Sequence, residues 1–253
     1  MGVLGIDDNP EWHKCDPELV EKSKVKTLLQ KAIDHGKSTG IFISLCFKLK
    51  KLPINIILCV YIFFLPGIVT DMRVTHATPG ALYANIQDRD WEADSLIQSQ
   101  FKNCTDIAKQ LIKSEYGQKI DLVFGGGMQN FRTKADGGIR DDEDLIQAWE
   151  KQKEENGNGK SFKVLTNKND LESWEMTDFA LGLFTQSAFT YVNQRDGTVP
   201  SLELMVEKAI KRLKRNPKGI LFLHDYLVRI NGKTVSLFVT NNDPNSFFLQ
   251  DFF

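Results

Sequence analysis

The stretch IDLVFGGG, residues 120–127, decides the fold class. Its apolar run is typical of a strand that is buried on both faces, and three glycines follow it at once. A glycine run without a following Lys-Ser or Lys-Thr is more typical of a tight turn than of a phosphate cradle. We therefore predict a buried strand over 120–124 that ends in a structural turn.

Helix and strand patterns alternate on both sides of this strand. The apolar spacing predicts helices over 17–35, 141–152 and 201–215, and strands over 38–41, 67–70 and 220–223. The polar segment 151–161 is predicted to be a solvated loop. This order predicts an α/β fold with a largely parallel central sheet flanked by helices.

The composition describes a globular chain with no dominant charge. It has 253 residues, of which 42% are hydrophobic, and 32 Lys and Arg residues balance 33 Asp and Glu residues. This balance gives no reason to expect a nucleic-acid or membrane-surface partner. We expect no secretory signal in the acidic first residues and no lipid-anchor signal in the last ones.

Two other features suit a secreted protein. Asn103-Cys104-Thr105 is a sequon for N-glycosylation, so Asn103 is the candidate modified residue. The four cysteines include no CxxC pair, a pattern that suits a secreted chain better than a zinc ribbon. Because a short sequon often arises by chance, the compartment stays open at this point.

Residues 41–67 interrupt the pattern with an apolar run that contains several lysines. A membrane helix is one interpretation, but the uninterrupted part, 56–65, is far shorter than the ~20 residues that span a bilayer. Joining Gly40 to Ile68 gives HGKSTGIVTDMRVTHATPG, a helix end, a glycine turn and a strand without a break. We favour an intron-derived insertion over 41–67, and a real insertion of the protein stays open.

Once 41–67 is set aside, a series of motifs occurs in order: GKSTGIVT across the junction, RVTHATPGALYA, DRDWEAD, CTDIAKQL, GGG after a strand, GLF at 182–184, RD at 195–196 and RNPKG at 215–219. A chance run of so many motifs in this order is improbable. Through them the chain resembles the alkaline phosphatase family over roughly 4–40 and 68–223. The resemblance covers a partial domain within 1–223 that 41–67 interrupts.

The resemblance implies both a fold and a function. The family has an α/β sandwich, forms an extracellular homodimer that is anchored by lipid to the plasma membrane, and hydrolyses phosphate monoesters through a phosphoserine with the help of Zn²⁺ and Mg²⁺. Arg89 matches the arginine that binds the phosphate. A guanidinium fork suits this role because it can bind two phosphate oxygens at once. The alternative is a surface ion pair of Arg89 with one of its acidic neighbours, Asp88, Asp90 or Asp94.

The motif around His76 carries the implied magnesium site. Thr78 matches a hydroxyl ligand of Mg²⁺, and His76 matches the neighbouring position beside that shell. Thr78 followed by Pro79 is also typical of a helix N-cap with proline at the first helical position, and both roles are compatible. Without the resemblance, His76 would be taken as an interior histidine.

The resemblance also implies a disulfide between Cys15 and Cys104, whereas Cys46 and Cys59 fall within the insertion. It further shows which family features are missing from this sequence. The nucleophilic serine matches no residue here, so no catalytic residue is assigned, and the zinc sites are expected to be absent. Thr185 stands where a calcium ligand of some members would be.

The segment 224–253 departs from the family pattern. Asp225 falls where a metal-binding glutamate would be, which we treat as coincidence because the following residues do not match. The stretch 227–239 predicts a hairpin with an Asn231-Gly232 turn. We expect a phosphomonoester hydrolase by family whose chain is itself inactive. The alternative is a non-enzymatic fragment, either a decoy or dimer partner of an intact subunit or a mis-assembled gene model.

Overall fold

The computed structural model describes residues 4, 6, 15–34, 38–42, 67–101, 103–213, 219–230, 233–240 and 247–251. The strands in these ranges are β1 Ser38–Phe42, β2 Gly67–Arg73, β3 Leu122–Gly126, β4 Phe162–Leu165, β5 Phe179–Leu183, β6 Gly219–Ile230, β7 Lys233–Thr240 and β8 Phe247–Asp251. The helices are α1 Pro17–Ser23, α2 Leu28–Asp34, α3 Ala77–Gly80, α4 Ile107–Lys113, α5 Leu145–Asn156, α6 Lys168–Glu172 and α7 Leu202–Leu213. Single 3-10 turns cover Asp94–Leu96, Ser99–Phe101, Gly117–Lys119, Met128–Asn130, Lys134–Asp136 and Val192–Gln194.

The strands form one sheet in the order β4-β5-β3-β2-β1-β6-β7-β8. The strands from β4 to β6 in this order all run parallel to their neighbours. The pairs β6–β7 and β7–β8 are antiparallel. Every residue of β3 and of β5 is buried, as the apolar run at 120–124 predicted for β3. The predicted α/β class with a largely parallel sheet is therefore confirmed.

Helices cover both faces of the central strands. Successive side chains of a strand point to opposite faces, and along β3 Val123 packs in one apolar cluster while Phe124 packs in the other. The first cluster contains Leu111 of α4 and Trp149 of α5, and the second contains Met205 of α7. Because both faces are occupied, the ends of the strands are the places where polar side chains can gather.

The helix predicted over 17–35 is two helices in the structure, α1 and α2. Thr27 starts the second one with a reciprocal cap: Gln30 N donates to Thr27 Oγ1 at 3.1 Å, and Thr27 N donates to Gln30 Oε1 at 2.8 Å. This Thr-x-x-Gln pattern is a capping box, a helix start that the apolar spacing conceals. Lys24 pairs with Ile6 in a short β-bridge at the break.

The loop predicted over 151–161 is wrong for its first half, because α5 continues to Asn156. The helix predicted over 141–152 begins later, at Leu145, where Asp144 Oδ1 accepts hydrogen bonds from Ile146 N at 2.8 Å and Gln147 N at 2.9 Å. Trp149 and Lys153 form the buried side of this helix. The Lys and Glu residues that suggested a loop instead belong mostly to its solvated side.

Lys153 is a buried amine on α5. Its side chain is almost fully buried, its Nζ donates to Gln118 O at 2.9 Å, and it lies 3.9 Å from the centre of the Phe179 ring. Burial lowers the pKa of Lys153 to about 8, and the charge of Asp121 opposes this shift. Burial likewise raises the pKa of Asp121 to about 6. The pair therefore ties the stability of the fold to pH.

We expect the free energy of unfolding to rise between pH 8 and pH 10 because of Lys153. In this window the unfolded chain keeps a proton, at the ordinary lysine pKa of 10.5, that the folded chain has released, so higher pH favours folding. Urea unfolding of Lys153→Met should lack this rise, which we expect to be on the order of 1–3 kcal/mol. Lys151→Met removes an exposed amine of the same helix and should keep it. An equal rise in both variants would show that Lys153 is not its source.

The structure does not test the strand predicted for a chain in which Gly40 is joined to Ile68, because this chain contains 41–67. In this chain β1 lies beside β2, and Gly40 pairs with Gly67 while Ile41 pairs with Ile68. Residues 43–66 lie outside the described ranges, so the insertion and the domain limits drawn from it stay predictions. Among the helices that the structure describes, none has both the length and the apolar character needed to cross a bilayer.

The hairpin predicted within 227–239 is present in the backbone. β6 and β7 pair antiparallel, with Ile230 opposite Lys233. Asn231 and Gly232 lie outside the described ranges, and they fill the two positions between these paired residues. A two-residue Asn-Gly connection is a favoured turn for such a hairpin.

Candidate functional site

The candidate site lies at the carboxyl ends of β2 and β3, which meet at one edge of the sheet. Arg73 ends β2, and His76 and Thr78 follow at the start of α3. Gly126 ends β3, and the turn Met128–Asn130 follows. In parallel sheets this edge is the usual place for a ligand, because loops from neighbouring strands converge there.

Gly125 and Gly126 are the last residues of β3, so the tight turn predicted for all three glycines begins only at Gly127. Gly127 has φ 90°, a left-handed conformation that favours glycine. A Cβ on Gly126 would lie 2.3 Å from the carbonyl oxygen of Ser187, so a larger residue does not fit there. The amide of Gly127 donates to the carbonyls of Thr185 and Ser187, both at 3.0 Å. The turn is thus a structural element that fixes the loop after β3, and it brings Asn130 to the site.

Arg89 sits on a short turn that two buried residues anchor. Asp88 Oδ1 accepts from Asp90 N at 2.8 Å, and Asp88 O accepts from Trp91 N at 3.3 Å. Asp88 and Trp91 are both 2% exposed, whereas Arg89 is half-buried. Among the residues that the structure describes, Arg89 has no ion-pair partner, so the alternative of a surface ion pair is not what the structure shows.

His76 and Thr78 belong to the short helix α3. The residue before the helix is His76, and its side chain makes no capping hydrogen bond. Thr78 is the second helical residue, so its predicted role as N-cap is wrong. Burial lowers the pKa of His76, and the charges of Arg73 and Arg89 act in the same direction. Arg89 is thus close enough for its charge to act on His76, although the two are thirteen positions apart in the sequence.

A buried polar network lies behind these residues, and the sequence analysis missed it. Glu92 is at its centre, 7% exposed, and accepts from Arg73 Nε at 2.9 and 3.1 Å and from Arg73 Nη2 at 2.6 Å. Thr75 Oγ1 donates to Glu92 Oε2 at 2.6 Å, and Asn130 Nδ2 donates to the same oxygen at 3.0 Å. Arg73 and Glu92 both stand in the quoted motifs, but nothing in their spacing reveals that they meet.

The described residues do not fit a complete metal site. Thr78 offers one hydroxyl oxygen, and the carboxylate of Glu92, which is bonded to Thr75, accepts hydrogen bonds on both of its oxygens. In the described ranges, no three His, Cys, Asp or Glu side chains are grouped as metal ligands would be. We therefore derive no step through a metal ion.

A second polar cluster surrounds Arg140, which is 0% exposed. Its guanidinium donates to Asp106 Oδ1 at 3.0 Å, to Asp106 Oδ2 at 2.9 Å, and to the carbonyl of Asn130 at 3.1 Å. Asp142 lies 2.8 Å away and Asp94 lies 3.8 Å away. The bond to Asn130 links this cluster to the network around Glu92.

The predicted disulfide between Cys15 and Cys104 is present, and it joins residues 89 positions apart in the sequence. It fastens the start of α1 to the loop before α4. Asn103, next to it, is exposed, as a glycosylated side chain must be.

The comparisons with known proteins agree with this geometry. The family model for Alkaline phosphatase matches residues 65–226. The membrane-bound alkaline phosphatase of Bombyx mori is 37% identical over 232 residues, which cover 87% of this chain and 37% of that protein. The tissue-nonspecific alkaline phosphatase of Homo sapiens is 30% identical over 246 residues, which cover 88% of this chain and 39% of that protein. The chain thus spans less than two fifths of the length of either relative.

Solved structures show the same fold. The alkaline phosphatase of Thermus thermophilus superposes with a TM-score of 0.53 at 22% identity, over 88% of this chain and 34% of that one. The enzyme of the Antarctic bacterium TAB5 gives a TM-score of 0.51 at 17% identity, over 88% of this chain and 45% of that one. With the matched motifs at the carboxyl ends of β2 and β3, these findings establish that the chain belongs to the alkaline phosphatase family.

Proposed function

We propose that the protein is a phosphomonoester hydrolase by family, that this chain is inactive by itself, and that Arg89 binds the phosphate group. The observation that carries this proposal is the state of Arg89, a half-buried guanidinium on an anchored turn with no ion-pair partner in the described ranges. Arginine is almost never fully buried in proteins unless it is paired, and the half-buried Arg89 keeps its guanidinium accessible to an anion. A phosphate offers two oxygens at the spacing of the guanidinium fork, which makes it a suitable partner.

Thr78 and His76 are our proposed contributors to a magnesium site. Thr78 would supply one hydroxyl oxygen, and His76 would lie beside that shell. Magnesium prefers hard oxygen ligands and neutralises phosphate charge, which is the chemistry it supplies where it is bound. The zinc ions and the homodimer that the family implies are likewise proposals for the whole protein.

Phosphate binding tests the role of Arg89. We expect inorganic phosphate to bind the 253-residue chain, and Arg89→Ala to weaken the binding by roughly 10- to 100-fold, because a charged hydrogen-bonding pair is worth about 1.5–3 kcal/mol. Isothermal titration calorimetry measures this. Arg132→Ala replaces another half-buried arginine and serves as the matched control. Equal affinity of the wild-type and Arg89→Ala chains would refute the assignment.

Whether the chain hydrolyses a phosphate monoester is a separate question, which the same purified protein can answer. A guanidinium supplies charge recognition but no nucleophile, so we expect phosphate binding without hydrolysis of p-nitrophenyl phosphate, with Zn²⁺ and Mg²⁺ added. Hydrolysis above the rate in buffer would overturn the expectation that this chain is inactive by itself. It would leave the test of Arg89 as phosphate ligand intact.

We also propose that the protein passes through a secretory compartment and is glycosylated at Asn103. The disulfide between Cys15 and Cys104 supports this, since disulfides persist mainly in oxidising compartments, and Asn103 is exposed. In cells that direct the chain into secretion, peptide N-glycosidase should reduce its apparent mass, and Asn103→Gln should remove that shift. A secreted chain whose mass the enzyme does not change would exclude the modification.

A further inference from the structure

The buried carboxylate of Glu92 connects three separate parts of the chain. Arg73 and Thr75 belong to the end of β2 and the residues just after it, and Asn130 belongs to the turn after β3. All three donate hydrogen bonds to Glu92, at 2.6 to 3.1 Å. Asn130 also donates to Thr75 Oγ1 at 2.7 Å, so the donors are tied to one another.

The network lies close in the sequence to two residues of the candidate site, His76 and Arg89. Thr75, 0% exposed, precedes His76 by one position. Glu92 itself follows Arg89 by three positions, and Glu92 N donates to Asp90 O at 2.8 Å within the same turn. The carbonyl of Glu92 accepts from Ala108 N at 3.3 Å, which fastens the turn to α4. His76 is adjacent to Thr75, and only two residues separate Arg89 from Glu92, so we expect the network to restrict the backbone at both site residues.

We infer that Glu92 is a positioning residue, which fixes the turn of Arg89 relative to the segment of His76 and Thr78. The inference rests on the proposed function, because it concerns the phosphate that Arg89 binds. Glu92 acts through its neighbours: both of its oxygens are occupied by donors, so it has no free acceptor for a ligand. It also supplies the counter-charge for Arg73, which keeps that half-buried guanidinium bonded to the network.

A double-mutant cycle separates positioning from a general loss of stability. Glu92→Gln keeps the shape but removes the charge, and we expect it to weaken the binding of inorganic phosphate about tenfold. In the Arg89→Ala background the same substitution should change the affinity no further, because the residue that it positions is gone. Glu154→Gln, on the exposed side of α5, is the matched control. An equal loss in both backgrounds, or no loss with Arg89 present, would overturn the inference.

Thr75→Val provides a milder variant in case Glu92→Gln does not fold. It removes the hydrogen bond that Thr75 Oγ1 donates to Glu92 and the one that it accepts from Asn130, and it keeps the buried shape. Thr70→Val is its control, because Thr70 lies on β2 and is equally buried. In the described part of the chain, the hydroxyl of Thr70 accepts a hydrogen bond from Met72 N at 3.0 Å and has no bond to Glu92. We expect Thr75→Val to weaken phosphate binding several-fold and Thr70→Val to leave it unchanged. Equal affinities of the two variants would contradict the inference.

Amide hydrogen exchange tests the inference even where Arg89 proves not to bind phosphate. The amides of Asp90 and Trp91 donate within the turn, to Asp88 Oδ1 and Asp88 O. If Glu92 holds this turn, both amides should exchange faster in Thr75→Val and in Glu92→Gln than in their controls. Unchanged exchange overturns the inference on its own. If Arg89→Ala leaves the phosphate affinity unchanged while the amides exchange faster in Thr75→Val and Glu92→Gln, the proposed function is refuted and the inference about Glu92 stands.

Discussion

Arg140→Met lowers the free energy of unfolding by about 3–5 kcal/mol, the range expected when one partner of a buried ion pair is removed. Arg140 is 0% exposed, and Asp106, its bidentate partner, is 1% exposed. Without the guanidinium, the carboxyl group of Asp106 must either stay charged and unpaired in a buried place or take up a proton, and both cost free energy of folding. Burial already raises the pKa of Asp106, against the effect of Arg140.

Chemical denaturation followed by circular dichroism measures this effect, and two further variants define it. Lys134→Met removes an exposed ion pair with Asp141 and should change the stability by less than about 1 kcal/mol. Asp106→Asn in the Arg140→Met background should recover part of the loss, because a neutral amide needs no counter-charge and still caps α4. A small loss for Arg140→Met, similar to that of Lys134→Met, would contradict the structural role of this cluster.

Replacement of both Cys15 and Cys104 by alanine has the second large effect, a loss of about 2–4 kcal/mol. The disulfide closes a loop of 89 residues, and both cysteines pack against the main apolar cluster. In the unfolded chain this link removes conformations that the reduced chain can adopt, which favours the folded state.

The matched control is Cys46→Ala with Cys59→Ala, which removes the other two cysteines and leaves the disulfide in place. Its unfolding midpoint in the absence of reductant should exceed that of the Cys15→Ala, Cys104→Ala variant. Added reductant should lower the midpoint of the control toward that variant. If reductant leaves the control unchanged, the disulfide does not contribute to stability.

Local patterns in the sequence predicted the fold well wherever one element dominates its own stretch. The apolar run at 120–124 and the glycines after it predicted a strand followed by a turn, because burial and positive φ leave direct marks on composition. The structure contains both, but the strand lies two residues later, over Leu122–Gly126, and the turn begins at Gly127. The break at Thr27 was also visible as a capping box, but the continuous apolar spacing outweighed it. The Lys-rich half of α5 was missed because a solvated helical face and a loop have similar composition.

The residues of the candidate site also fall into two groups: those that local motifs reveal and those that only the fold brings together. His76, Thr78 and Arg89 could be selected because they stand in motifs that the family shares. Glu92 and Asn130 could not, because their hydrogen bonds connect residues 17 to 55 positions apart and depend on which strands are neighbours. The sequence also did not reveal that Arg89 lacks an ion-pair partner among the described residues, since three acidic residues lie close to it in the sequence.

A crystal of the 253-residue chain soaked in tungstate, a heavy-atom analogue of phosphate, shows directly whether Arg89 binds a phosphate-like anion. Anomalous diffraction locates the tungsten without reference to the rest of the structure. If Arg89 binds phosphate, we expect an anomalous peak within hydrogen-bonding distance of its guanidinium, at the carboxyl ends of β2 and β3. We expect no such peak in crystals of Arg89→Ala. Tungstate bound elsewhere, with no peak at Arg89, would contradict this assignment.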